Sequence, residues 1–193
     1  MVLIELDKNT NYIISGLERS GTSMLMQILK AGNIPIAYDN SRVSDEFNPK
    51  GYFELEGGKV INKIINKSFP LEKYRGKFIK ITTYGLKFLP IGRYKIIYSE
   101  RDFDEIVDSM QRMIGKVDEN RDEFKKNLIK LNNVIKKQIQ KEKDIKVLFV
   151  NYNSILTNPK DNIKKILDFL NLSYINLEKM TKAVDKSLYQ PSN

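Results

Sequence analysis

The sequence predicts an α/β fold in which a parallel β-sheet is flanked by helices on both faces. Short runs rich in β-branched and aromatic residues recur along the chain, and stretches with helical periodicity lie between them. A glycine-containing segment with phosphate-loop spacing joins the first run to the first helical stretch. Such alternation is typical of parallel sheets covered by helices, and we expect residues 1–193 to form a single domain.

The strand-like runs are bounded by polar residues or glycine: Tyr12–Ser15, Phe78–Thr82, Tyr94–Ser99 and Lys146–Val150. Apolar residues repeat at helical spacing within residues 106–114, 124–135 and 163–170, which predicts helices there. Ligands of open parallel sheets bind beyond the carboxyl ends of the strands. We therefore expect the functional residues in the loops that follow these strands.

The loop after the first strand is the most informative segment of the chain. Residues 15–23 read Ser-Gly-Leu-Glu-Arg-Ser-Gly-Thr-Ser and lead into an apolar helical stretch. Backbone N–H groups in such a loop, together with the positive end of the helix dipole, attract an anion. The spacing from Gly16 to Gly21 is that of a Walker A loop, but Thr22 stands where an NTPase has lysine. The sequence thus predicts a P-loop-type fold whose loop cation is Arg19.

Composition excludes several kinds of chemistry. The chain contains no histidine, so an imidazole base is impossible, and it contains no cysteine, so disulfides and thiol chemistry are excluded. Zinc sites lose their usual nitrogen and sulfur ligands, and the residues present require no metal. The apolar runs are too short to span a membrane, and Met1–Asp7 lacks the basic region of an export signal. We therefore expect a cytoplasmic protein.

The chain is basic, with a formal net charge of +9 from 33 basic and 24 acidic residues. That charge is compatible with a polyanionic ligand. The lysines are spread along the chain and tryptophan is absent, so we expect a solvated lysine-rich surface and no nucleic-acid partner.

Three segments in order resemble the sulfotransferases that use 3′-phosphoadenosine-5′-phosphosulfate (PAPS). Residues 15–23 resemble their 5′-phosphosulfate loop. Residues 96–109 resemble their 3′-phosphate motif, in which a strand ends in arginine and a serine follows eight residues later. Residues 147–170 resemble a late strand with its tyrosine, proline turn and helix, and residues 45–54 are similar to a compact bacterial branch of the family.

The resemblance implies a role for particular residues at the two ends of the nucleotide. The residues that would hold the 5′-phosphosulfate are Arg19, Ser20, Gly21, Thr22 and Ser23. Arg101 and Ser109 would bind the 3′-phosphate, although Arg101 alone is also explained by a surface ion pair with Asp102 or Asp104. Tyr152 matches a tyrosine that contacts the adenine end in the family, and a core aromatic residue is the alternative.

The resemblance leaves the catalytic base open. Lys80-Ile81-Thr82 matches a Lys-Thr-His segment of the family, so Lys80 would stabilise charge on the sulfuryl group, and a strand-end surface lysine is the alternative. Thr82 occupies the position of the histidine, and some branches use a carboxylate instead. The candidates are Asp45, Glu46 and Glu54, of which Glu54 is preferred and Asp45 follows; each is otherwise a solvated or structural carboxylate.

The sequence thus predicts an enzyme that transfers a sulfuryl group from PAPS to a hydroxyl or amine and releases adenosine 3′,5′-bisphosphate (PAP). The acceptor would be a small molecule or a glycan, and neither its identity nor the oligomeric state can be deduced. One alternative is a P-loop nucleotide kinase, which the missing lysine after Gly21 disfavours. The other is a non-catalytic protein that binds PAP and lacks the base.

Overall fold

The computed structural model describes residues 4–115, 120–174 and 176–188. A parallel sheet forms its centre, with the strands β1 (Asn11–Gly16), β2 (Phe78–Lys80), β3 (Tyr94–Glu100) and β4 (Ile145–Asn151). Their spatial order is β2-β1-β3-β4. The chain therefore moves to one side of β1 to form β2 and to the other side to form β3, which creates a crevice above β1 and β3.

Helices connect the strands and cover the sheet. In the described residues the α-helices are α1 (Thr22–Ala31), α2 (Val60–Ile65), α3 (Phe103–Ile114), α4 (Arg121–Lys141), α5 (Tyr152–Thr157), α6 (Pro159–Leu170) and α7 (Leu177–Lys182). Short 3-10 segments lie at Glu56–Gly58, Leu71–Tyr74, Thr83–Phe88 and Lys186–Leu188.

The alternation of side chains along each strand divides the core between the two faces of the sheet. Tyr12 and Ile14 point to the face covered by α1, α5, α6 and α7. Ile13, Ile79 and Ile96 point to the opposite face, which is covered by α2, α4 and the 3-10 segments Leu71–Tyr74 and Thr83–Phe88. The prediction of an α/β fold with helices on both faces of a parallel sheet is therefore confirmed.

A buried hydrogen-bond network attaches α4 to the sheet. Tyr98 is 1% exposed, and its hydroxyl donates to Asn132 Oδ1 at 2.6 Å and lies 2.7 Å from Thr83 Oγ1. Burial raises the pKa of Tyr98 to about 12, so the hydroxyl keeps its proton. Because an unpaired hydroxyl would be costly at this depth, the network specifies where α4 and the 83–88 segment meet β3.

The strand register brings the carboxyl ends of the strands to one edge. Ile14 pairs with Lys80, and Gly16 pairs with Ser99. The loops that follow β1, β2 and β3 therefore begin side by side, and their side chains can converge on one ligand.

The strands and the helices α1, α3, α4 and α6 were predicted from the sequence, whereas the short helices α2, α5 and α7 were not. All four strand-like runs overlap observed strands, although β2 ends at Lys80, two residues before the predicted end. Ile114 completes a predicted apolar face but is 66% exposed at the last turn of α3. No helix in the described part of the chain is both long and apolar enough to cross a membrane.

The first helix begins at a glycine that closely approaches an aromatic ring. Gly21 caps α1 with a φ of 96°, and a Cβ atom built there would lie 2.2 Å from Cδ2 of Tyr152. A side chain at this position would therefore meet both backbone strain and a clash with a buried ring.

Gly21→Ala is expected to lower the free energy of unfolding by about 3 kcal/mol, from the strain of a positive φ together with overpacking. Gly115 is the matched control, because its φ is 70° and nothing lies within 4 Å of the place that a Cβ atom would occupy. Gly115→Ala should cost only about 1 kcal/mol, the strain alone. Urea denaturation of both variants measures the difference, and equal losses would contradict the packing argument.

Candidate functional site

The loop between β1 and α1 has the geometry of an anion-binding turn. Arg19 adopts a left-handed backbone with a φ of 65°, and the Ser20 N–H donates to Leu17 O at 3.1 Å. The hydroxyl of Ser99, at the end of β3, donates to Ser20 O at 2.6 Å and fixes the loop against the sheet. The first turn of α1 contains no acidic residue. The N–H groups of this turn have no intrahelical acceptors, so they are available to an anion at the start of α1.

Ser20 lies at the base of this loop. It is 1% exposed, and its Oγ has no hydrogen-bond partner among the described residues. Buried hydroxyl groups are rarely left unpaired in folded proteins. Its Oγ lies against Gly16, where a Cβ atom built on the backbone would be only 2.4 Å from it, so this hydroxyl points into the loop.

The side chain of Arg19 crosses from the loop to two neighbouring segments. Its Nε donates to Oγ of Ser109 in α3 at 2.9 Å, and its Nη2 donates to the carbonyl oxygen of Phe47 at 3.2 Å. The structure therefore brings together Arg19 and Ser109, which the resemblance assigned to opposite ends of one nucleotide. A cation between these groups can contact an anion bound near either of them.

Arg101 braces the same loop from the end of β3. Its Nε donates to Glu105 Oε2 at 2.7 Å, and its Nη1 donates to Arg19 O at 3.1 Å. The partner in this ion pair is Glu105, and not Asp102 or Asp104 as the sequence alternative had it. The side chain is only 7% exposed, so this is an inward-facing cation and not a surface pair.

Tyr152 supports the loop from behind. It is 7% exposed, belongs to the core, and its ring lies 4.6 Å from the Arg101 guanidinium carbon. The same ring makes the close approach to Gly21 described above. These contacts position the loop and Arg101, whereas direct contact between Tyr152 and an adenine ring stays a prediction.

A buried ion pair occupies the end of β2. Nζ of Lys80 lies 2.9 Å from Glu54 Oε1, and it also donates to Tyr52 O at 3.0 Å and to Ser23 Oγ at 3.1 Å. Lys80 and Glu54 are 8% and 9% exposed. Arg42 reaches the other carboxylate oxygen, with Nη1 2.9 Å from Glu54 Oε2. Each oxygen of Glu54 is thus bound by a cation.

These charges shift one another's proton affinities. Burial lowers the pKa of Lys80, and the adjacent Glu54 carboxylate opposes this shift only in part. Burial alone would raise the pKa of Glu54, but the Lys80 ammonium and the Arg42 guanidinium outweigh it and hold the pKa below its ordinary value. Glu54 is therefore ionised at neutral pH, and in this arrangement it is a weak proton acceptor.

The other candidate carboxylates have different surroundings. Asp45 is exposed and accepts hydrogen bonds from the Tyr52 hydroxyl, at 2.7 and 2.8 Å, and from the N–H groups of Phe47 and Asn48. The Tyr52 hydroxyl and these N–H groups lower the pKa of Asp45. Glu46 is also exposed but lines the cavity. Of the three, Glu54 alone contacts Lys80.

A cavity of about 330 Å³ connects these groups. Arg101, Ser109 and Met113 line its side at β3 and α3, the β1–α1 loop lines its middle, and Lys80 and Thr82 line its side at β2. Residues of the 39–58 segment cover it, and Asp185 and Ser187 reach it from the C-terminal segment. An ion pair of 2.7 Å between Lys50 and Asp185 connects the 39–58 segment to the C-terminal segment.

The structure therefore gathers most of the residues proposed from the sequence around one cavity. Ser20, Asp45 and Tyr152 do not line it, and the last two contact residues that do. Arg42 and Asn48 line the cavity but were not predicted, and Glu105 was missed as the partner of Arg101. Only Glu105 had a sequence signal, since an acidic residue four positions after arginine is a common ion-pair spacing.

Comparisons with known proteins identify a family and similar folds. A family model described as Sulfotransferase domain matches residues 9–191. The sulfotransferase domain of the olefin synthase from Synechococcus PCC 7002 is similar in structure, with a TM-score of 0.56 and 15% identity over 94% of this chain and 82% of that domain. A mouse sulfotransferase solved in complex with PAP has a TM-score of 0.58 and 16% identity over 96% of this chain and 67% of that one.

At such low identity the structural similarities establish the fold alone. The search of curated proteins found no match.

Glu54→Gln is expected to lower the free energy of unfolding by about 3 kcal/mol, because it leaves the buried Lys80 ammonium without a carboxylate. Lys80→Met keeps Glu54 paired with Arg42, so it should be less damaging. The double variant should lose less stability than the sum of the two single losses. Urea denaturation measures all three variants, and additive losses would show that the two groups do not interact.

The same contact predicts an acid dependence. The folded pKa of Glu54 lies below its ordinary value of 4.5, so its stabilisation is complete above that value and is lost as the pH falls through the folded pKa. The stability difference between the wild type and Glu54→Gln should therefore shrink in denaturation experiments below pH 4.5. A difference that stays constant into acid would contradict the lowered pKa.

Proposed function

Because the chain belongs to the sulfotransferase domain family, we propose that it transfers a sulfuryl group from PAPS to a hydroxyl or amine and releases PAP. The observation that carries this proposal is the meeting of a phosphate-type loop and the buried cation Lys80 in one cavity. An anionic group over the loop would lie next to a fixed positive charge, as sulfuryl transfer requires. A cytoplasmic location stays a prediction of the sequence.

The donor set fits PAPS. The first-turn N–H groups of α1, the Ser23 hydroxyl and the Arg19 guanidinium are donors suited to phosphate and sulfate oxygens. Bound PAPS supplies the sulfuryl group, with PAP as the leaving group. The 5′-phosphosulfate would be held by Arg19, Ser20, Gly21, Thr22 and Ser23.

The strand order suggests how the nucleotide is oriented. Arg101 and Ser109 lie at the end of β3 and in α3, on one side of the loop, and are proposed to bind the 3′-phosphate. Lys80 belongs to β2, on the other side, and is proposed to face the sulfuryl group. With the 3′-phosphate held at one side, the reactive end is directed towards the other.

The acceptor is proposed to enter on the side of β2. This part of the cavity is lined by Thr82, by the charged Arg42 and Glu54, and by the apolar side chains of Leu55, Val60, Ile61 and Ile81. A small molecule or a glycan that presents a hydroxyl or amine is compatible with this mixture of polar and apolar walls.

Lys80 is proposed to stabilise negative charge as the sulfur–oxygen bond to the phosphate breaks. Its contact with Ser23 Oγ connects it to the loop, and Glu54 keeps it in place. Glu54 is also the preferred base, with Asp45 and Glu46 as the other candidates. Its contact with Lys80 places it beside the proposed reacting group, which supports this choice. Its lowered pKa makes it a weaker base, which opposes the choice.

A non-catalytic PAP-binding protein is the second candidate. The specific observation in its favour is that Lys80 and Arg42 bind both oxygens of Glu54, while the chain contains no histidine. A nucleotide kinase is not proposed, because the chain belongs to the sulfotransferase family and has Thr22 at the position of the P-loop lysine.

PAP is expected to bind at least tenfold more tightly than 5′-AMP, because the 3′-phosphate adds charge-assisted hydrogen bonds of about 1.5–3 kcal/mol each. Ser109→Ala should reduce this preference and leave the affinity for 5′-AMP nearly unchanged. Isothermal titration calorimetry measures both nucleotides on both proteins. Equal affinities of the wild type for PAP and 5′-AMP would contradict the 3′-phosphate assignment.

The base is tested with the amide variants Asp45→Asn, Glu46→Gln and Glu54→Gln. Transfer of ³⁵S from labelled PAPS to a panel of phenols, alcohols, amines and glycans identifies an acceptor, and kcat is then compared. Loss of the base should lower kcat by about a hundredfold or more while PAP affinity is retained. Three amides with wild-type kcat would contradict a carboxylate base. Tight PAP binding without transfer to any acceptor favours the non-catalytic candidate.

A further inference from the structure

Ser23, in the first turn of α1, contacts both the end of β2 and the 39–58 segment that covers the cavity. Its hydroxyl oxygen lies 3.1 Å from Lys80 Nζ and 2.9 Å from Nδ2 of Asn48. It also lies 3.4 Å from the carbonyl oxygen of Tyr52. Ser23 and Asn48 both line the cavity, so a ligand bound over the loop can reach this hydroxyl.

The donors around Ser23 determine the direction of its own hydrogen bond. A serine hydroxyl has two acceptor lone pairs and one hydrogen, whereas an ammonium group can only donate. Lys80 and the Asn48 amide nitrogen therefore fill both acceptor positions, and only the hydroxyl hydrogen remains. Within the described residues its acceptor is Tyr52 O, at a distance well above the usual length of about 2.7–2.8 Å for such bonds. That carbonyl already accepts from Lys80 at 3.0 Å.

We propose that Asn48 is a positioning residue that fixes the Ser23 hydroxyl as a hydrogen-bond donor to the 5′-phosphate end of the bound nucleotide. The inference rests on the proposed function, since it assigns a donor to the same nucleotide site. A phosphate or sulfate oxygen is a stronger acceptor than the distant and shared Tyr52 carbonyl, so the hydrogen turns to the ligand when the site is filled.

The backbone holds Asn48 at the required place. Its N–H donates to Asp45 Oδ1 at 2.9 Å, and the neighbouring Phe47 carbonyl accepts from Arg19 Nη2 at 3.2 Å. The amide side chain therefore approaches Ser23 from a turn that is anchored at both sides. This also gives Asp45 a part in the site, although it is exposed and does not line the cavity.

Asn48→Asp is the decisive substitution, because a carboxylate keeps the shape of the amide but can only accept. It should take the Ser23 hydrogen and weaken PAP binding about tenfold or more, as expected for a lost hydrogen bond to a charged group. Ser23→Ala should weaken PAP binding to a similar extent. Asn48→Ala leaves the hydrogen free to turn, so its effect should be smaller. Calorimetry with PAP measures each affinity, and thermal unfolding confirms that each variant is folded.

A double-mutant cycle separates the position of the hydrogen from simple charge repulsion. In a Ser23→Ala background, Asn48→Asp should change PAP affinity by less than about threefold, because the hydroxyl through which it acts is gone. In a Ser23→Thr background, which keeps the hydroxyl, the full loss should return. Asn133→Asp, on the exposed side of α4, is the control for one added negative charge and should leave PAP affinity unchanged.

Two results would overturn the inference. If Asn48→Asp weakens PAP binding by the same factor with and without the Ser23 hydroxyl, the effect is electrostatic repulsion. If Asn48→Asp binds PAP as tightly as the wild type, residue 48 does not determine the direction of the Ser23 hydrogen bond. Both results leave the proposed function intact, because the wild type still binds PAP. A wild type that does not bind PAP overturns the inference and the proposed function together.

Discussion

The need to compensate one buried ammonium group organises the candidate site. Lys80 ends β2 in a place where water barely reaches it, and a buried charge is tolerated only when it is paired and hydrogen-bonded. Its partners come from two different parts of the chain, Ser23 at the start of α1 and the Tyr52–Glu54 stretch. The loop segment from 39 to 58, which has few regular elements, is therefore held over the cavity by electrostatics as well as by packing.

The order of the strands places different charged groups on different sides of the cavity. Arg101 and Ser109 come from the end of β3 and from α3, whereas Lys80 and Thr82 lie at the end of β2 and just beyond it, and the phosphate-type loop lies between the two groups. The parallel register places all three loops at one edge without any special sequence in the strands themselves. Because the charged side chains are held by rigid elements, an anion would meet them with little reorganisation.

Much of the fold could be predicted from the sequence, and rather less of the site. The strands and long helices could be predicted because the spacing of their apolar residues reflects which faces of each element are buried. The loop was readable because its glycines and its place between strand and helix are local features. By contrast, the pairing of Glu54 with Lys80 and Arg42 joins residues that are 26 and 12 positions apart. Such contacts depend on how the covering segment folds back, which no local pattern specifies. The role of Tyr152 could not be predicted for the same reason. Its ring contacts Gly21 and Arg101, which are distant in the sequence, and these contacts support the loop.

Because the chain contains no histidine, the proposed proton transfer to Glu54 would depend on the charge of the ligand. In the structure, two cations hold the pKa of Glu54 below its ordinary value, which suits an anchor for Lys80 more than a base. A donor with phosphate and sulfate groups would add several negative charges beside Lys80 and the loop. Nearby negative charge raises the pKa of a carboxyl group, and the burial of Glu54 amplifies the effect because screening by water is weak there. The carboxylate would thus gain proton affinity in the loaded site, which is the state in which an acceptor hydroxyl has a proton to lose.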